Sequence, residues 1–113
     1  MRRNTVFTAD AANTEFASCA KPRTSDKYLA TVSIYGTFGS GTVTLFMSPD
    51  NGTTKIALID DLTGVAFSLT AARCFDIEMG TGDGSAGTSE IKLYATLAGA
   101  TNPSLNITVH DNL

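Results

Sequence analysis

Apolar and polar residues alternate at every second position along most of this chain, and that period limits the fold more than any other feature. In Tyr28-Leu29-Ala30-Thr31-Val32-Ser33-Ile34-Tyr35, the apolar Ala30, Val32 and Ile34 are interleaved with Thr31 and Ser33, the pattern of a strand with one buried face. After the turn Gly36-Thr37-Phe38-Gly39-Ser40-Gly41, Val43, Leu45 and Met47 alternate with Thr42, Thr44 and Ser48, Phe46 standing on the polar side. The run Lys55 to Ile59 is apolar on both sides, as expected of a central strand or one covered by a partner. The period then resumes in three more segments: Val65, Phe67 and Leu69; Phe75, Ile77 and Met79; and Ile91, Leu93, Ala95 and Leu97. Leu105, Ile107 and Val109 carry it to the end, and a further strand is expected at Thr5 to Thr8.

Such strands need a second apolar layer, and the sequence offers no helix to supply it. The one segment with helical composition, Ala9 to Ala20, contains Asn13, Thr14 and Ser18 and is read as extended. The expected architecture is therefore all-β: an antiparallel two-sheet β-sandwich of jelly-roll or Greek-key type with about eight strands. A chain of 113 residues suits one domain, residues 1–113. Residues 1–25 are expected to form an extended N-terminal arm with a hinge at Pro22-Arg23-Thr24-Ser25-Asp26, lying on its own domain or reaching a neighbouring subunit. Pro49 should end the second strand, and Asn51-Gly52 should turn it back as a type I′ hairpin, setting Val43-Leu45-Met47 against Ile56-Leu58.

Charge and composition narrow the function. A net charge of −3 is unsuited to nucleic acid, which demands clustered cations. No apolar run reaches the roughly 18 residues of a membrane span, and the N-terminal stretch lacks the continuous apolar region of an export signal. Charged residues make up only 17 %, so Thr, Ser, Asn and Gly finish the surface, a composition suited to flat contact with another protein. Cys19 and Cys74 are expected reduced, and with one His110 they make no conventional zinc site.

A catalytic set is not expected. His110 is the only imidazole and falls on the polar side of the last strand, where it reads as a solvated residue. Asp76 and Glu78 share a strand face about 7 Å apart, but no aromatic wall accompanies them. The glycine-rich Gly80-Thr81-Gly82-Asp83-Gly84 lacks the Lys-Ser/Thr of a phosphate loop and reads as a connection. The chain is thus read as a non-enzyme without cofactor or metal. Its candidate protein-interface residues are Arg2, Arg3, Phe7, Phe38, Phe46 and Tyr94, Arg and aromatic side chains being the usual anchors of interfaces.

Gly41-Thr42-Val43-Thr44-Leu45-Phe46-Met47-Ser48-Pro49-Asp50-Asn51-Gly52-Thr53-Thr54 resembles a strand and hairpin found in small β-sandwich virion proteins of tailed bacteriophages. The later FDIEMGTGDGSAGTSEIKLYATL is similar to the paired strands and Gly/Ser loop of such modules. Lys55-Ile56 stands where a Trp commonly follows the hairpin. The resemblance implies a capsid decoration or cement protein, made in the host cytoplasm and carried on the virion. It would be a homotrimer on the outer capsid surface, bound to the major capsid protein. It also leaves open a receptor- or carbohydrate-binding module of a tail or head fibre, with ligand at the loops near Phe38, Asp50-Asn51 and Asp83. A ring-forming tail or adaptor component is the third possibility.

Overall fold

The computed structural model describes residues 2–19, 27–49, 52–80 and 91–112. These form eight strands: β1 (Arg2–Phe7), β2 (Ala11–Cys19), β3 (Lys27–Thr37), β4 (Thr42–Ser48), β5 (Ile56–Ala57), β6 (Arg73–Gly80), β7 (Ile91–Ala98) and β8 (Ser104–Asp111). They assemble into two four-stranded antiparallel sheets, in the orders β1-β8-β3-β6 (sheet A) and β2-β7-β4-β5 (sheet B). Strand 1 pairs with 8, 2 with 7, 3 with 6 and 4 with 5, as in one long hairpin rolled on itself. The contacts β3–β8 and β4–β7 close the roll. Of the two topologies expected, this is the jelly roll.

The period-2 residues meet between the sheets. Val32, Ile34, Leu105, Ile107 and Val109 from sheet A face Val43, Leu45, Leu93, Ala95 and Leu97 from sheet B, all essentially without solvent contact. Truncating any of the large ones to Ala would cost about 2–5 kcal/mol, the usual cost of removing a buried aliphatic side chain and leaving a cavity. Tyr28 is equally buried, and its hydroxyl donates to Asp111 Oδ2 at 2.9 Å. Burying the ring without that acceptor would strand a donor.

Three expectations need correction. Residues 2–19 lie on their own domain, the first of the two alternatives, and not as a separate arm: β1 and β2 are edge strands of sheets A and B, because Phe7, Phe16, Ala17 and Cys19 belong to the core and hold the segment down. Lys55 to Ile59 is not a central strand but the edge of sheet B, and only Ile56-Ala57 pair regularly there, with Met47 and Phe46. Val65 to Thr70 is not a continuous strand; it touches sheet B through the isolated bridge Val43–Leu69, and a second isolated bridge joins Ala66 to Ile59. The total of eight survives because β2, read as merely extended, takes the place of the lost strand.

Pro49 ends β4 as expected, and Leu58 N donates to Leu45 O at 2.9 Å, extending the pairing of the second and third apolar runs. The β4–β5 connection occupies residues 49–55, longer than a two-residue hairpin turn. Gly52 within it has φ +98°, while Asp50 and Asn51 lie outside the described residues. So do the hinge at 22–26 and the glycine-rich connection over residues 81–89, with Asp83 in it.

Cys19 is buried beside Met79, with the sulfur atoms 3.9 Å apart, and Cys74 is exposed on the outer face of sheet A beside the Ser33 hydroxyl. The two cysteines are not joined to each other.

Candidate functional site

Between β5 and β6 the chain leaves the edge of sheet B and returns to it. Leu58 and Phe67 close a small hairpin: Phe67 N donates to Leu58 O at 3.0 Å and Asp60 N to Val65 O at 2.7 Å. Its tip is a tight turn whose shape comes from one side chain. Gly64 N and Thr63 N both donate to Asp60 O, and Leu62 N donates to Asp60 Oδ1 at 3.0 Å, the Asx pattern that makes Asp a turn-former.

The same carboxylate reaches across to sheet A. Arg73, the first residue of β6, donates from Nη1 to Asp60 Oδ2 at 2.6 Å and from Nη2 to Asp60 Oδ1 at 2.8 Å. Asp60 is buried, so this bidentate pair is shielded from solvent on the carboxylate side. The hydrogen bonds from Arg73 are the main reason its carboxyl is held below the usual range, the Leu62 N–H and the guanidinium charge adding to them against the cost of burial. Beneath the ion pair, the Phe67 and Phe75 rings lie 4.6 Å apart between centroids, and the Arg73 guanidinium sits 5.7 Å from the Phe67 centroid. The hairpin is therefore clasped to both sheets.

What it holds up is apolar. Ile56, Ile59, Leu62 and Val65 are 50, 56, 80 and 61 % exposed. Single exposed aliphatics are common on any protein and carry no message. Four within ten residues, on the segment held by the Asp60–Arg73 pair and the tilted Phe67 and Phe75 rings, make an apolar ridge along the chain of the kind that marks a contact surface. Beside it an open trough of about 1010 Å³ runs along β6, with Leu58, Ile59, Leu62 and Phe67 on one wall and Asp76, Glu78 and Thr31 on another.

The residues singled out from sequence fall elsewhere. Phe7 and Phe38 are buried in the core, where they pack the sandwich and offer no area to a partner. Phe46 and Tyr94 lie opposite each other on the outer face of sheet B, both half-buried, with Lys55 Nζ 5.0 Å from the Tyr94 ring centroid. Around them Thr42, Thr44 and Thr96 make a low-charge surface, and Lys92 pairs with Glu15 at 3.2 Å. Arg2 and Arg3 are at the far edge of sheet A. The structure thus brings together two of the six. The ridge was missed, although the two-sided apolar run Lys55 to Ile59 was its signal: such a run is buried in a central strand, but here it lies at an edge.

His110 is exposed on the outer face of sheet A, in a row with Arg2 and Thr31. Asp76 accepts from the Thr31 hydroxyl at 2.7 Å, and Glu78 pairs with Lys27 at 2.7 Å. Among the described residues no group of three or more His, Cys, Asp or Glu side chains is placed to hold a metal ion. Comparison with family models, with curated proteins and with solved structures returns no match to this chain.

Proposed function

We propose that this chain is a structural binding protein of the tailed-phage head, a decoration or cement protein that docks on the major capsid protein at the outer capsid surface. The observation that carries the reading is the clasped ridge of Ile56, Ile59, Leu62 and Val65, exposed yet rigidly mounted. A preformed apolar ridge loses little side-chain and loop entropy on docking, so more of the burial energy appears as affinity. A protein that binds only the assembled shell stabilises it by mass action, repeated at every site. The sequence resemblance supplies the identity of the shell. A jelly roll is found in capsid and lectin domains alike and decides nothing alone. The rival carbohydrate-binding reading loses its loop aromatic, since Phe38 is in the core.

The test is titration of the full chain onto undecorated, expanded capsids, followed by heating. Saturable binding with a raised capsid melting temperature is expected, and Leu62→Asp with Val65→Asp should weaken it by roughly tenfold or more, since centrally buried apolar anchors dominate such contacts. Absence of binding, with no gain in capsid stability, would remove the proposal.

A further inference from the structure

The two sheets treat their edges differently. In sheet B, β2 carries register shifts between Ala11 and Thr14 and between Glu15 and Ala17, and β5 is two residues long. Bulges and short strands are the usual protections against recruitment of a foreign strand. Sheet A has neither. β1 pairs with β8 through six consecutive residues and β6 with β3 through eight, both without a shift and without proline. Among the described residues each of these strands is paired on one side only.

The two open edges also differ in charge. β1 carries Arg2 and Arg3 and no acid, and neither arginine makes a salt bridge among the described residues. β6 carries Asp76 and Glu78, while its one cation, Arg73, is engaged by Asp60. Pairing β6 with β6 about a two-fold axis would crowd four carboxylates together; pairing β6 with β1 sets opposite charges side by side.

Direction and face fit as well. Three successive antiparallel pairings, β1–β8, β8–β3 and β3–β6, leave β1 and β6 running in opposite senses. A β1 strand from a second copy in the same orientation therefore continues sheet A as an antiparallel strand. Arg2, His110, Thr31 and Asp76 are cross-strand partners in one row, so Arg2 and Asp76 project from the same face.

We propose that copies of this chain join head to tail through sheet A, the free edge of β1 in one copy adding to the free edge of β6 in the next. Arg2 then lies opposite Asp76, with Glu78 one pleat away, and Asn4 lies opposite Cys74. The contact is heterologous, so it builds a ring where the rotation closes and a filament where it does not.

The experiment is sedimentation velocity and native mass spectrometry of the full chain over a range of protein and salt concentrations. An oligomer that grows with concentration and weakens with salt is expected. Arg2→Glu and Asp76→Arg should each weaken association roughly tenfold or more, and the two substitutions in one chain should restore it. Circular dichroism checks that each variant is folded. A second readout is covalent: Asn4→Cys should give oxidised intermolecular ladders through Cys74, and adding Cys74→Ser should abolish them. A chain that stays monomeric at every concentration, or an oligomer indifferent to both charge reversals, overturns the proposal. None of these measurements reads capsid binding, so this proposal and the functional one fail separately.

Discussion

Asp60 and Arg73 join the edges of opposite sheets: both terminal nitrogens of the arginine reach the carboxylate, at 2.6 and 2.8 Å. The turn that Asp60 shapes is thereby fixed to β6, and the apolar ridge inherits the rigidity of the sandwich.

Acid should loosen this clasp. The Arg73 hydrogen bonds hold the Asp60 carboxyl below its ordinary value of 3.8, so the native state binds fewer protons there than the unfolded chain. The stability it contributes is complete above that value and is lost as pH falls through the lower, native-state one. Asp60→Asn removes this titration. Thermal unfolding midpoints measured from neutral pH downward should fall more steeply below about pH 4 in the native chain than in the variant. Parallel acid limbs would show that the pair contributes nothing through protonation.

Alkali should act through Tyr28. Burial, then the hydrogen bond to Asp111 and its charge, push the phenol well above its ordinary 10.0. Here the native state keeps a proton that the unfolded chain releases, so the stability is complete below about pH 10 and declines as pH rises beyond it. Tyr28→Phe should start less stable by about 1 kcal/mol for the lost hydrogen bond, yet show a flatter alkaline limb. Denaturant titrations at neutral and high pH measure both effects. A variant that loses stability with alkali as fast as the native chain would place the titration elsewhere.

The sandwich was legible because period 2 is a property of the strand itself: Val32 and Ile34 must lie on one face whatever they pair with. Edge position is not encoded that way. Ile56 and Ile59 read as interior because both faces of their run are apolar, and only the topology shows that, among the described residues, β5 has no neighbour beyond β4. The Asp60–Arg73 clasp joins residues thirteen apart through a turn whose return path carries no periodic signal. Phe38, a candidate interface aromatic in the turn after the first strong strand, is instead folded into the core, with Gly41 N donating back to its carbonyl at 3.0 Å. Nothing local to Arg2 and Arg3 foretells a strand whose partner is the C-terminal β8.

Gly52 is where sequence and structure agree most closely on a consequence. Its φ of +98° is a conformation that side chains rarely adopt, and a Cβ built there would lie 2.7 Å from the Tyr94 hydroxyl oxygen. Its N–H donates to the buried Ser48 hydroxyl at 2.7 Å, and its carbonyl accepts from Lys55 Nζ at 2.9 Å, so the turn cannot easily swing away. Gly52→Val should therefore cost about 2 kcal/mol or more in urea unfolding, from backbone strain and the clash together. The two causes separate in a double-mutant cycle. Gly52→Ala should cost less in a Tyr94→Phe background, because only the clash involves the hydroxyl, while the strain from positive φ remains. Equal costs in both backgrounds would assign the whole effect to the backbone, and a Gly52→Val chain as stable as the native one would show that the turn places no constraint on the fold.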